Sequence, residues 1–109
     1  MGQGRQTPGI VGEGNHRYEY IPNWGKFPEQ LYNNSIAVDS QDRVFVCTLG
    51  IGTTHNLKPA PLMVIADSKG EVVDSWGTGA CVHAAGLNIV DDVVYVCDKR
   101  ASEIGRAHV

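Results

Sequence analysis

The chain has 109 residues, 42% apolar and 19% charged, with a formal net charge of −3. That length allows one small domain, and the composition is globular rather than disordered. The lack of any basic run excludes nucleic acid as an expected partner, and no apolar run reaches the roughly 20 residues of a membrane-spanning helix, so no membrane partner is expected either.

The N-terminus, MGQGRQTPGIVGEG, has no charged region followed by an apolar one. No signal peptide is visible, which leaves the cytoplasm as the default location. Residues 1–17 are rich in Gly and polar groups without periodicity, so they read as an arm or loop. The Gly-x-Gly found here follows no strand and opens no helix, and reads as flexible backbone rather than a phosphate site. The next stretch, HRYEYIPNWGKFPEQLYNN, sets Tyr18, Tyr20, Trp24, Phe27 and Tyr32 among prolines. Such a segment is expected to cross a surface and bury aromatic faces without regular structure, with a ligand platform as the alternative. Residues 1–34 form this leader.

From Ser35 the text reads as successive strands. SIAVD is short and apolar and closes on the turn DSQD. RVFVCTL is β-branched and aromatic on both faces, which predicts a strand covered on both sides. A long loop, GIGTTHNLKPAP, follows. Then come LMVIA, the turn DSKGE with Gly70 available for a left-handed conformation, and VVDSWG. Residues 36–76 are therefore expected to form a four-stranded antiparallel meander, with Val44, Val46, Leu62, Val64 and Ile65 among its buried residues.

The pattern then restarts. GLNIV, DD and VVYVCD repeat the first two strands, and Val46-Cys47-Thr48 returns as Val96-Cys97-Asp98 fifty residues later. Short strands in units of about 40–50 residues are the mark of propeller blades. One such blade has two apolar faces and covers neither alone, and typically 4–8 close a ring. The expected fold is thus an all-β propeller fragment: a first blade over 35–78 and a partial second over 79–103. The end breaks the repeat. IGRAHV, residues 104–109, is what a common sequencing-library adapter encodes when read in frame, so Ile104–Val109 are set aside as an adapter-derived tail, with genuine protein sequence as the alternative.

Several stretches, GEGNHRYEYIPNWGKFPE, IAVDSQDRVFV, VIADSKGEVVDSWGTG and VHAAGLNIVDDVVYVCD, resemble NHL-repeat six-bladed propellers. They are most similar to bacterial proteins related to the peptidyl-α-hydroxyglycine α-amidating lyases, over about residues 12–102. The resemblance implies chemistry on the ring axis. There zinc is held by histidines of several blades and calcium partly by backbone carbonyls, and a hydroxyglycine is broken down to an amide and glyoxylate. The family arginine position is Leu49 here, the zinc histidine position is Ala85, and a further histidine would fall near Ser102. What the resemblance leaves is backbone: the carbonyls of Ile36 and Leu87 stand where the family contributes to calcium. His83, two residues before Ala85, would face the same side of an extended segment and is the candidate metal ligand. Its alternative is a hydrogen-bonded histidine at the ring mouth.

Other chemistry-bearing residues read as structural. His55 is expected to be a solvated loop side chain, Asp91 and Asp92 a tight turn, and Trp76 a packing residue between blades. Cys47, Cys81 and Cys97 lie in or beside apolar runs outside any Cys-x-x-Cys spacing and read as buried thiols. Two function classes follow: a lyase-like or sugar-lactonase-like enzyme with metal at the central channel, or a non-catalytic propeller. In either case the expected partner is a small molecule or peptide at the propeller face, with the remaining blades supplied by the rest of the protein. Zinc and calcium are implied for the full ring, whereas His83 alone cannot supply the three or four ligands zinc needs.

Overall fold

The computed structural model describes residues 9–53, 56–80, 84–98 and 103–108. Every regular element among them is a β-strand, and every pairing is antiparallel. The strands are β1 (Gly9–Glu13), β2 (His16–Tyr20), β3 (Leu31–Val38), β4 (Val44–Thr53), β5 (Asn56–Lys58), β6 (Met63–Ala66), β7 (Val72–Trp76), β8 (Ala84–Val90), β9 (Val93–Asp98) and β10 (Glu103–His108).

The expected meander is present in the order β3-β4-β6-β7. Val46, Leu62, Val64 and Ile65 are buried as expected, while Val44 is half-buried. The long loop is more ordered than its Gly and Pro content suggests. β4 runs on to Thr53, and β5 pairs back along it as a short added strand. Gly50 and Gly52 allow this. Both have positive φ, and a Cβ at either would strike a backbone carbonyl oxygen of β5.

The leader also differs from expectation. Residues 9–20 form a hairpin, with Glu13 opposite His16 across the two-residue turn Gly14-Asn15. That turn is a recognised hairpin signal, but the flanking strands are mostly exposed and lack the apolar alternation that would have announced them. Residues 21–30 carry no strand, as expected for a segment laid across a surface. They are fastened to the β6–β7 turn: the Lys26 N–H donates to the Gly70 carbonyl at 2.8 Å, and Lys26 Nζ lies 2.6 Å from Glu71. Trp24 and Phe27 stack at a tilt, with ring centroids 6.4 Å apart.

The second sheet has the order β10-β9-β8. The sequence set aside from Ile104 onward takes part in it: β10 pairs along the whole of β9, from Glu103 opposite Asp98 to His108 opposite Val93. Backbone groups on an open strand edge accept a partner whatever its side chains.

The two sheets share one core. Phe45, Cys47, Leu62, Met63 and Ile65 of the first pack with Ala84, Val94 and Val96 of the second, and Trp76, Leu87 and Ile89 border the cluster. Alternation along each strand explains the set. Phe45 and Cys47 on β4 share a face with Met63 and Ile65, their neighbours on β6. Val94 and Val96 on β9 share a face with Ile89 and Leu87 on β8. The same alternation corrects the reading of Cys97. It points away from the core and is exposed, whereas Cys47 is buried, and Cys81 lies outside the described residues.

Candidate functional site

The first strands of the two sheets, β3 and β8, lie side by side, and side chains of the first sheet fasten that seam. Asn34 donates its side-chain N–H to the Ala84 carbonyl, and the Ser35 hydroxyl donates to the Ala85 carbonyl at 3.3 Å. At the turn end of the seam, the Ser40 hydroxyl approaches both carboxylate oxygens of Asp92, at 2.8 and 2.9 Å. Residues about fifty positions apart in the sequence are thus neighbours in space.

At the opposite end of the sheets lies a cleft of about 210 Å³, lined by Thr48, Leu49, Pro59, Ala60, Leu62, Gly77, Gly79 and Ala84. Three connections meet there: the far part of β4, the segment returning to β6, and the turn after β7. Gly77 and Gly79 both have positive φ, and the Ala80 N–H closes the turn onto the Gly77 carbonyl at 2.9 Å. Thr48 is buried and satisfied: its hydroxyl donates to the Pro61 carbonyl at 2.7 Å and its N–H to the Leu62 carbonyl at 2.8 Å. Among the described lining residues, none carries a titrating side chain. These residues offer shape, apolar contact and peptide groups to a ligand.

Leu49, where the family resemblance implies an arginine, lines this cleft beside Ala84. Ala85, where it implies a zinc histidine, is exposed, and its carbonyl accepts the Ser35 hydroxyl. Ile36 and Leu87 hold equivalent places on β3 and β8, opposite Val46 and Val96 respectively. The Ile36 side chain is exposed, and Leu87 packs against the core. His83, His55 and Ser102 lie outside the described residues. Among the described residues no three His, Cys, Asp or Glu side chains converge as metal ligands. At the two family positions that are described, Leu49 and Ala85 bring no metal-binding side chain.

Asp39, Asp91 and Asp92 are built into turns. Asp91 and Asp92 form the two-residue turn between β8 and β9, both with positive φ, as the sequence reading of a tight turn required. Asp39 is buried at the β3–β4 turn. Its Oδ1 accepts the N–H groups of Gln41 and Arg43, each at 2.9 Å, and its Oδ2 accepts Arg43 Nε at 2.7 Å. Burial alone would raise the Asp39 carboxyl. The backbone and guanidinium donors of Arg43, with the Gln41 N–H, outweigh that and hold it below the ordinary carboxylate range. Trp76 is half-buried against the shared core, the packing role expected of it. Comparison of the chain with models of known protein families, with curated proteins and with solved structures found no match.

Proposed function

We propose that this chain is a piece of an NHL-type six-bladed propeller, similar to the amidating-lyase-like group. In that reading β3, β4, β6 and β7 form one blade, and β8–β10 begin the next. Its contribution to function is to bind a small molecule or peptide at the mouth of the ring, without catalysis by the described residues. The observation that carries this reading is the cleft beside the seam. It lies where Leu49 and Ala84 come together, and its described lining offers apolar side chains and peptide groups for contact. The blade assignment is supported by the shared core and by the fifty-residue spacing of the seam contacts.

The test uses a short peptide ending in α-hydroxyglycine, with zinc and calcium present. Binding is followed by calorimetry and glyoxylate by a colorimetric assay, for the chain and for Ala60→Phe, which fills the cleft. Binding that Ala60→Phe abolishes, without glyoxylate above the buffer rate, is the expected result. Glyoxylate release by the chain would replace the binding reading with the lyase one. No binding of this peptide or its amide would remove the cleft as a peptide site.

A further inference from the structure

The described lining of the cleft beside the seam comes from both sheets. Thr48 and Leu49 lie on β4, and Gly77 and Gly79 on the turn after β7. Ala84, the first residue of β8, supplies the wall from the second sheet. The width of the cleft therefore depends on where Ala84 stands relative to β4. Two restraints act on it. Its side chain is buried in the shared core, and its carbonyl accepts the side-chain N–H of Asn34. Apolar packing is non-directional, so the core holds Ala84 close without aiming its backbone. A hydrogen bond has a preferred direction, and the Asn34 amide supplies the aim.

The backbone of β3 is shaped to deliver that bond. Asn33 pairs with Thr48 and Ser35 with Cys47, so Asn34 is an extra residue between two consecutive β4 positions, a β-bulge. A bulge re-aims a side chain without ending the strand. Here the Asn34 amide reaches across the seam, and beside it the Ser35 hydroxyl donates to the Ala85 carbonyl at 3.3 Å. β8 carries the same irregularity. Ala84 pairs with Asp98 and Gly86 with Cys97, which leaves Ala85 as the extra residue. The backbone device thus occurs in both sheets, with Asn34-Ser35 in the first and Ala85-Gly86 in the second. Of the two pairs, the one with side-chain donors stands at the seam that bears the cleft.

We propose that Asn34 is a positioning residue of the cleft. Its side-chain amide holds the Ala84 carbonyl, fixes the second-sheet wall against Thr48 and Leu49, and so sets the width that a ligand meets. The effect on affinity rests on reading the cleft as a binding site, whereas the placement of Ala84 does not. Asn34 acts through Ala84 and is not itself among the described lining residues. Without the bond the second sheet stays docked through the shared core, but Ala84 samples other placements. Affinity then falls by the fraction of molecules in which the wall is in place. A neutral hydrogen bond of ordinary strength biases such an equilibrium by roughly tenfold, which is the ceiling on the loss. The Ser40–Asp92 bond provides the comparison, because it fastens the same seam at the end away from the cleft.

The test is nuclear magnetic resonance of the isotope-labelled chain and of Asn34→Asp, Asn34→Ala and Ser40→Ala, each titrated with the α-hydroxyglycine peptide. In the parent chain one of the two Asn34 side-chain N–H protons should be shifted from the other and exchange slowly with water, the signature of a donor held by a carbonyl. Asn34→Asp keeps the shape but presents a carboxylate to the Ala84 carbonyl, and Asn34→Ala removes the group. Each should move the backbone amide resonances of Leu49, Gly79 and Ala84 and weaken peptide binding by up to roughly tenfold. Ser40→Ala should leave those three resonances and the affinity as they are in the parent. Equivalent, rapidly exchanging Asn34 protons would overturn the proposal, and that measurement needs no variant to fold. Cleft resonances that neither Asn34 variant moves would overturn it too. So would Ser40→Ala moving them as far, since the seam would then act as a whole. Peptide affinity unchanged in both Asn34 variants would show that Asn34 does not set the cleft. A parent chain that binds no peptide removes the cleft as a peptide site, and the resonances still decide whether Asn34 places Ala84.

Discussion

Asp39 sits where β3 turns back into β4, with 6% of its surface exposed. Beyond its bonds to Gln41 and Arg43, its Oδ2 lies 2.6 Å from Arg43 Nη2, and that guanidinium carbon stands 5.7 Å from the centre of the Phe45 ring. One carboxylate thus joins the turn to the largest core side chain. Asp39→Asn keeps Oδ1 for the two N–H groups but turns an NH2 toward the Arg43 guanidinium in place of Oδ2, so it should cost about 1–3 kcal/mol at pH 7. The pH dependence has a definite sign. Because the folded carboxyl titrates below its unfolded value, its contribution is complete above about pH 4 and is lost as pH falls through the depressed folded value. Urea midpoints should fall more between pH 4 and pH 2 for the parent chain than for Asp39→Asn, and equal falls would show that the carboxylate contributes nothing. Asp92 supports the neighbouring turn in two ways: it holds a positive φ of 59° and accepts the Ser40 hydroxyl. Asp92→Ala removes the bond and places an alanine where left-handed backbone is costly. It should destabilise by about 1–2 kcal/mol in the same urea assay, whereas Asp92→Asn should cost less.

Elements were legible where local chemistry and tertiary packing agreed. The strands of the meander were readable because their β-branched runs end at turn signals, as at Asp67-Ser68-Lys69-Gly70, where the Gly70 N–H donates to the Asp67 carbonyl at 3.0 Å. The hairpin of β1 and β2 and the short β5 were not. Their residues are largely exposed, so no apolar alternation marks them, and β5 is a three-residue strand paired to β4. The cleft was legible only as single positions. Leu49 was located through a family pattern, but nothing local tells that Pro59 and Ala60 come together with it, since their meeting depends on the return from β5 to β6. Leader docking was foreseen as a surface crossing without its anchor, which is Gly70. That residue has φ +87°, and a Cβ there would lie 2.9 Å from Gly25 Cα and 3.6 Å from the Trp24 ring. Gly70→Ala should therefore both strain the turn and lift the leader, lowering stability by about 1–3 kcal/mol. Trp24 should become more exposed, which iodide quenching of a Trp76→Phe background would detect. Unchanged quenching would show that the leader is held elsewhere.

For the whole molecule the central fact is that neither sheet owns its core. Cys47 of the first sheet and Val94 of the second are both fully buried, and they belong to one cluster across the seam. If the sheets were independent units, damage to one would leave the other closed. A shared core predicts the reverse, because opening the second sheet strips cover from the first. Val94→Ala is the clean perturbation. It removes two methyl groups at a site remote in sequence from Cys47, adds no polar atom, and should cost about 2 kcal/mol from lost burial and the cavity left behind. The reporter is the Cys47 thiol, which a soluble alkylating reagent reaches only when the structure opens. In the regime where reclosing is faster than labelling, the rate follows the opening equilibrium, so 2 kcal/mol corresponds to roughly a thirtyfold faster reaction. Peptide mapping by mass spectrometry separates Cys47 from Cys97, whose exposed thiol should label quickly in both proteins. A Cys47 rate that Val94→Ala leaves unchanged, while the second sheet is demonstrably loosened by hydrogen exchange over residues 84–98, would mean that the sheets open separately. A rate that rises in step with the loss of global stability would mean that the five-stranded and three-stranded sheets fold as one cooperative unit.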